Sequence, residues 1–294
     1  MCGIVGYIGY REAYPILIQG LKRLEYRGYD SAGVALITGN GDMNVYKEKG
    51  KVSNLEELVH DRDCSGQLGI AHTRWATHGE PSAINAHPHT SQSGNLAIVH
   101  NGIIENYASL KTLLEKEGYS FKSCTDTEVL VQLIEYMQIK YNKSVENATI
   151  MALRMVVGAY AIAVIDKNNP DKIVVARKSS PLVIGIGENN SEFFLASDAL
   201  PIIEYTKQMI YLDDNQVALI KIGHNVEINN LEYEDITPEI KEVNISKNEK
   251  NGWIVKTNEK EYKISSNGEI KELKELPFKN GVTKASIRFH RSRQ

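Results

Sequence analysis

The sequence predicts an α+β fold with mostly antiparallel sheets. Strand-like apolar runs come first, segments with helical spacing of apolar residues follow, and further strand-like runs come after them. Few helices separate the later strands, which favours antiparallel pairing over parallel crossovers. This order predicts two sheets packed face to face, with helices outside both.

The composition excludes several classes of protein. The 294 residues are 42% hydrophobic, which is ample for a core, and the net charge of −3 gives no general attraction to nucleic acid or membranes. No apolar run approaches the roughly 18 residues that span a bilayer. Three widely spaced cysteines without a signal peptide indicate a reducing compartment. We expect a cytoplasmic protein with no nucleic-acid or membrane partner.

The first third of the chain contains strands, one helix and a long loop. Residues 3–8 read as a buried strand, and residues 13–24 carry an apolar helical stripe. Further strands are predicted at 34–38, 68–72 and 96–100. The polar and aromatic segment between the last two strands is a long loop, which is typical of a functional site.

The middle of the chain predicts helices and then strands. Helices are expected at residues 106–117, 127–141 and 145–155, and Thr125 with Glu128 fits a capping box at the start of the second. The predicted strands that follow lie at residues 160–166, 173–176, 182–186, 193–197, 209–212 and 217–222.

The composition changes after residue 222, where Asn, Lys and Glu become frequent. We therefore predict a domain at residues 2–222 and a divergent C-terminal segment at 223–294. Strand-like runs at 253–257, 261–265 and 269–273, with turns at 258–260 and 266–268, predict a small meander. Residues 279–294 are basic, and a solvated tail is favoured over a nucleic-acid contact.

Cys2 follows the initiator methionine directly. If the methionine is removed, Cys2 carries a thiol and a free α-amine, whose pKa of about 7.7–8.0 makes it a usable base. A thiol beside a base indicates acyl transfer through a covalent intermediate. The alternative is that Cys2 is an ordinary small residue at the start of a strand.

Several other residues fit that chemistry. The Asn101 side chain and the Gly102 N–H could stabilise an oxyanion, although Asn-Gly is also the strongest signal for a hairpin turn. Arg74 could hold a carboxylate in a bidentate contact, and Asp126 could face an ammonium group. The alternatives are a surface ion pair for Arg74 and a helix cap for Asp126.

Four histidines, at positions 72, 78, 87 and 89, raise the possibility of a metal site. No histidine pair has metal-binding helical spacing, and no cysteine or carboxylate lies at ligand spacing. We therefore expect no metal and no cofactor.

Together these residues resemble the glutaminase half of the glutamine–fructose-6-phosphate aminotransferases, a class II glutamine amidotransferase domain. The most characteristic segment is Leu-Glu-Tyr-Arg-Gly-Tyr-Asp-Ser-Ala-Gly at 24–33. The other matching segments are residues 2–6, 69–79, 85–89, 99–106, 125–128 and 177–182. The resemblance covers roughly residues 1–222. Amidophosphoribosyltransferases and asparagine synthetases are less similar, since they share the opening Cys-Gly-Ile but not the segment at 25–33.

The resemblance implies a four-layer αββα sandwich of the N-terminal-nucleophile hydrolase type. It also implies the site. Cys2 is the nucleophile with its own α-amine as base, and Asn101 and Gly102 form the oxyanion hole. The implied glutamine-site residues are Arg74 for the carboxylate, Asp126 for the α-amine, Thr77 and His78 as pocket lining, Trp75 as the ammonia gate and Arg27 as support for the nucleophile.

The expected function is hydrolysis of L-glutamine to glutamate and ammonia through a Cys2 thioester. We recognise no sugar-isomerase half in residues 223–294 and expect no sugar isomerisation from the chain alone. One alternative is a subunit that supplies ammonia to a separate synthase or isomerase chain. Another is a catalytically idle glutamine sensor, against which the intact nucleophile argues.

Overall fold

The computed structural model describes residues 2–76, 79–248, 252–256, 260–265 and 270–275. The chain divides into two compact units, Met1–Lys241 and Glu242–Gln294. Within the described residues, no helix is both long and apolar enough to cross a membrane.

In the described residues, the first unit combines five α-helices with antiparallel strands. The helices are α1 (Ala13–Leu24), α2 (Val52–Leu58), α3 (Tyr107–Lys116), α4 (Asp126–Tyr141) and α5 (Val145–Leu153). The strands are β1 (Gly3–Ile8), β2 (Ser31–Ile37), β3 (Met43–Lys49), β4 (Leu68–Arg74), β5 (His89–Thr90), β6 (Leu96–Ile104), β7 (Gly158–Asp166), β8 (Lys172–Lys178), β9 (Val183–Ile186), β10 (Phe193–Ala196), β11 (Gln208–Tyr211), β12 (Gln216–Lys221), β13 (Glu227–Asn230), β14 (Asp235–Ile236) and β15 (Ile240–Glu242).

These strands form two sheets. The first has the order β15-β11-β9-β10-β1-β4-β2-β3, and the second has the order β14-β13-β12-β8-β7-β6-β5. β1 lies inside the first sheet, where Gly3 pairs with Thr73 of β4 and Val5 pairs with Ala196 of β10. The start of the chain is therefore held by hydrogen bonds on both sides.

The core lies between the two sheets. Ile4 and Ile70 of the first sheet and Val99 and Ala163 of the second belong to one buried cluster. Helix α1 packs on the outer face of the first sheet, and α3, α4 and α5 cover the outer face of the second. This helix–sheet–sheet–helix layering confirms the predicted fold class.

The predicted helices agree closely with the structure. α1 has the predicted bounds, and α3, α4 and α5 differ from theirs by one or two residues at their ends. β3 and α2 were not predicted. β6 continues to Ile104, past the predicted end, so Asn101 and Gly102 pair with Ala161 and Tyr160 of β7. The hairpin-turn alternative for Asn-Gly is therefore wrong.

The second unit contains an antiparallel sheet of four described strands. They are β16 (Asn244–Asn248), β17 (Gly252–Lys256), β18 (Lys260–Ser265) and β19 (Ile270–Glu275), in sequential order. The last three overlap the strands predicted at 253–257, 261–265 and 269–273, and β16 precedes them. Of the predicted turn at 258–260, Lys260 lies in β18 instead. The rest of that turn, the predicted turn at 266–268 and the tail at 279–294 lie outside the described residues. A boundary at residue 222 stays a prediction.

Candidate active site

Cys2 lies immediately before β1, beside the end of β4. The backbone N–H of Trp75 donates to Cys2 Sγ at 3.1 Å. Burial raises the pKa of the Cys2 thiol, whereas the Trp75 N–H and the Arg74 charge act in the opposite direction. The net direction is upward, so the thiol needs a base to become the reactive thiolate.

Asn101 connects the second sheet to Cys2. Its Nδ2 donates to the backbone carbonyl of Cys2 at 3.4 Å. Its Oδ1 lies 2.8 Å from Nε2 of His72, a fully buried residue of β4. With Oδ1 occupied by His72, the N–H groups of the Asn101 amide face Cys2. Both sheets therefore contribute to one site.

Gly102 follows Asn101 in β6 and has φ of +131°, a conformation that favours glycine. A Cβ atom at this position would lie 2.0 Å from the carbonyl oxygen of Ala159. The backbone of β6 thus approaches β7 closely beside Asn101, and a side chain at position 102 has no room on that side.

Arg74 is almost fully buried at the end of β4. Its Nη2 donates to the carbonyl of Gly79 at 3.2 Å, and its Nη1 donates to the carbonyl of Glu80 at 3.5 Å. The surface ion-pair alternative for Arg74 does not fit this burial. The guanidinium holds the loop that follows Trp75, next to Cys2.

Asp30 also holds the loop that follows Arg74, through two hydrogen bonds. Its Oδ2 accepts the backbone N–H of Ala76, and its own backbone N–H donates to the carbonyl of Arg74 at 2.8 Å. The Trp75 side chain is 53% exposed and lies over Gly28, where a Cβ would be 2.9 Å from the indole ring. The predicted pocket residues Thr77 and His78 lie outside the described residues.

Asp126 begins helix α4 and is buried. Its Oδ2 accepts the backbone N–H of Ile104 at 2.8 Å, which connects α4 to the strand that carries Asn101 and Gly102. The helix cap is Thr125, whose side chain accepts the Glu128 N–H at 3.2 Å, as the capping-box pattern predicts. The cap alternative for Asp126 is therefore wrong.

Arg27 forms a buried ion pair with Asp198, with Nη2 and Oδ2 2.6 Å apart. Burial alone would lower the pKa of Arg27, but the Asp198 carboxylate raises it above its ordinary value. Arg27 also donates to Ser197 Oγ at 3.2 Å, and Ser197 Oγ accepts the Ile4 N–H at 3.1 Å. These contacts link Arg27 to the strand that follows Cys2.

Four buried histidines lie behind Asn101. The ring centroids of His72 and His87 are 4.3 Å apart in a stacked pair, and His89 and His100 contact His87 at 5.0 and 6.5 Å. Burial lowers the pKa of His72 to about 3 and lowers those of the other three as well. No group of three or more possible metal ligands is found in the described part of the chain.

The arrangement suits attack by the Cys2 thiol on a carbonyl carbon. The Cys2 thiol and an oriented amide donor meet at one point, while a buried cation lies at the end of β4 and a buried carboxylate at the start of α4. Two contributors were missed from the sequence. Asp30 and His72 both stand in the segments that carry the resemblance, and their polar side chains beside apolar runs were the available signal.

The chain is similar to known proteins of one family. The model of the family described as "Glutamine amidotransferase domain" matches residues 59–263. Glutamine–fructose-6-phosphate aminotransferase [isomerizing] of Bacteroides thetaiotaomicron is 62% identical over 245 residues, which are 83% of this chain and 40% of that protein. The enzyme of the same name from Chlorobaculum tepidum is 54% identical over 86% of this chain and 41% of its own length.

A solved structure shows the same fold. The glutamine phosphoribosylpyrophosphate amidotransferase of B. subtilis, complexed with ADP and GMP, aligns with a TM-score of 0.66 and 25% identity. The alignment covers 80% of this chain and 50% of that chain. The chain thus spans about 40% of the length of the aminotransferases that it matches and half of the length of this structural neighbour.

Proposed function

Because the chain belongs to the glutamine amidotransferase domain family, of class II, we propose that it hydrolyses L-glutamine to glutamate and ammonia. The observation that carries the proposal is the meeting of Cys2 with Asn101, in which the amide of Asn101 donates to the Cys2 carbonyl at 3.4 Å. This contact brings the nucleophile and an oxyanion donor from two different sheets to one point.

The reaction begins with removal of the Cys2 S–H proton by the α-amine of the same residue. The sulfur attacks the side-chain amide carbon of glutamine and forms a C–S bond, and the carbonyl π electrons move to oxygen. When the carbonyl re-forms, the C–N bond breaks, and ammonia leaves with the proton held by the α-amine. Water then attacks the thioester, releases glutamate and restores the thiol.

The negative oxygen of each tetrahedral intermediate is held by the Asn101 amide and the Gly102 N–H in this proposal. What supports the assignment is the fixed orientation of Asn101, since His72 occupies its Oδ1 at 2.8 Å. A donor that is oriented before the reaction stabilises developing charge without the cost of reorganisation.

The glutamine backbone groups are recognised by opposite charges in the proposal. Arg74 holds the α-carboxylate, and Asp126 holds the α-ammonium. Thr77 and His78 line the pocket, Trp75 gates the exit of ammonia, and Arg27 supports the nucleophile. The supporting observations are the burial of Arg74 and Asp126 and their positions on β4 and α4, next to Cys2 and Gly102.

We propose that the ammonia serves an aminotransfer to fructose 6-phosphate, as the names of the relatives suggest. Those relatives carry both activities in one chain and are more than twice as long as the matched region. A separate acceptor chain is therefore the less favoured alternative, and an idle sensor is disfavoured by the intact nucleophile. A reducing cytoplasm suits an enzyme that depends on a free thiol.

The test is Cys2→Ala, with Cys64→Ala and Cys124→Ala as matched controls. We expect Cys2→Ala to abolish release of glutamate from glutamine, and the controls to retain nearly full activity. The mass of the protein, before and after treatment with an electrophilic glutamine analogue, should show loss of Met1 and one label on Cys2. Wild-type turnover by Cys2→Ala would contradict the proposed function.

A further inference from the structure

A cavity of about 540 Å³ is lined by residues other than those of the candidate active site. Its wall is formed by β3, the end of α2, β5 with the segments on either side of it, and α4 with the segment before it. None of Cys2, Arg74, Asn101, Gly102 and Asp126 lines it. Its volume falls within the range of about 300–1,000 Å³ that is usual for small-molecule sites.

Three cations line this cavity: Lys47, Arg62 and Lys122. In the described residues, none of them forms an ion pair with a carboxylate. Lys47 is half-buried, and its Nζ donates to the carbonyl of Ile84 at 3.1 Å. The Arg62 guanidinium lies 5.6 Å from the centre of the Tyr46 ring.

The lining carries a net positive charge. Glu128 is the one acidic residue among those that line the cavity, and its carboxylate already accepts the backbone N–H groups of Lys122 and Ser123 at 2.8 and 2.6 Å. His89 is buried, and burial lowers its pKa well below the ordinary value, so it is neutral. Three positive charges and one negative charge leave the lining with a charge of +2.

A charge of +2 matches a phosphate monoester, which carries about −1.5 to −2 at neutral pH, better than it matches a single carboxylate. The remaining wall suits the carbon skeleton of a sugar. Val45, Leu58 and Ile84 provide apolar surface, while Ser120, Gln132 and neighbouring hydroxyl and amide groups provide hydrogen-bond partners.

We propose that this cavity binds a small phosphorylated sugar, with the phosphate against Lys47 and Lys122 and the sugar against the apolar wall. The site is separate from the glutamine site.

The experiment is isothermal titration calorimetry of the purified chain with glucose 6-phosphate, with glucose and inorganic phosphate as comparison ligands at equal ionic strength. We expect saturable binding of glucose 6-phosphate, weaker binding of phosphate and none of glucose. Equal affinity for phosphate and glucose 6-phosphate would overturn the role of the apolar wall. The absence of any saturable binding would contradict the proposal that this cavity is a binding site.

Variants locate the binding. Lys47→Met and Lys122→Met should each raise the Kd for glucose 6-phosphate by about tenfold or more, because a charge-assisted hydrogen bond is lost. Lys122 is exposed, so its replacement tests the site even if Lys47→Met does not fold. Lys116→Met, at an exposed position at the end of α3, is the control and should bind as the wild type does. Equal losses in all three variants would overturn the proposal.

Two further measurements separate this site from the glutamine site. Protein labelled on Cys2 should bind glucose 6-phosphate with unchanged Kd, and a changed stoichiometry would place the ligand in the active site and overturn the proposal. Burial lowers the pKa of Lys47 to about 8. A phosphate should raise that pKa, so binding at pH 8 should take up about half a proton. Equal enthalpies in buffers of different ionisation enthalpy would contradict this.

Discussion

The orientation of the Asn101 side chain depends on a second side chain, that of His72. The Asn101 amide faces Cys2 because His72 holds the other end of the same amide at 2.8 Å. His72 makes this contact across the space between the two sheets, where both residues are buried. His72 is therefore a positioning residue for Asn101 in our proposal, and each of the two can be tested by a different change.

Replacing Asn101 tests the oxyanion donor. Asn101→Ala should lower kcat for glutamine hydrolysis by about 10²–10³-fold with little change in KM, because the lost hydrogen bond forms mainly in the transition state. Steady-state kinetics beside a thermal melt provides the measurement. A variant with normal kcat and a lowered Tm would show that Asn101 has a purely structural role.

Replacing His72 tests positioning. His72→Ala removes the partner of Asn101 Oδ1 and should lower kcat by about tenfold, since a misoriented donor loses part of its contribution. His72→Gln keeps an N–H donor and should recover part of the loss at unchanged KM. The comparison requires both variants to have similar melting temperatures. Equal kcat values in the two variants would argue against the role.

The polar residues of the candidate site could be identified from the sequence, but the contacts between them could not. Asn101 and Cys2 were paired through the resemblance, and the structure places them together. The bond from His72 to Asn101 joins residues 29 positions apart on different sheets, so no local pattern contains it. The same is true of Asp30, whose partner Ala76 is 46 positions away.

At the scale of elements, β6 shows that a local turn signal in the sequence can predict the wrong structure. Asn-Gly is favoured in hairpin turns because both residues tolerate positive φ, and Gly102 does have a φ of +131°. Tertiary pairing with β7 nevertheless keeps Asn101 and Gly102 inside the strand. β3 was missed for another reason: its residues are half-buried on both faces, so its sequence lacks a clear apolar alternation.

Replacing Gly102 and Gly94 by alanine separates the effect of a close contact from the effect of positive φ. Gly102→Ala places a methyl group 2.0 Å from the carbonyl oxygen of Ala159 and should destabilise the fold by about 2–4 kcal/mol, with a loss of activity. Gly94 also has positive φ, of +74°, but a methyl group at that position would have no atom within 4 Å. Gly94→Ala should cost only about 1–2 kcal/mol. Denaturant unfolding measures both, and equal losses would contradict the close contact.

At the scale of the whole molecule, the two sheets enclose a group of neutral histidines. Their pKa values are lowered by burial, in the case of His72 to about 3, whereas an unfolded chain has histidine pKa values near 6.5. Below pH 6.5 the unfolded chain therefore binds protons that the native chain does not bind. The free energy of unfolding must then fall as the pH decreases.

This gives a measurable pH dependence. Between pH 7 and pH 5 the free energy of unfolding should fall by up to about 1.4 kcal/mol per pH unit for each buried histidine. Denaturant titrations at several pH values measure it. His72→Gln removes one such group and should flatten the slope. A stability that is constant from pH 7 to pH 5 would show that these histidines are not buried in the neutral form.

The layered fold was predictable because each layer has its own sequence period, while the site was not fully predictable because it forms between layers. The helical stripes and strand runs are local patterns, and α1 could be placed to the residue from them. The contact of Asn101 with Cys2 depends on how two sheets meet, and the resemblance to a family supplied what local physics could not.

The indole of Trp75 is half-exposed over Gly28, and the backbone N–H of the same residue donates to Cys2 Sγ. The fluorescence of this tryptophan can therefore report on the candidate site. The chain has two tryptophans, and the other, Trp253, lies in β17 of the second unit. Trp253→Phe would therefore leave a single tryptophan, beside Cys2. Its emission wavelength and its quenching by iodide should change when glutamine occupies the site, so that binding can be followed without any added dye.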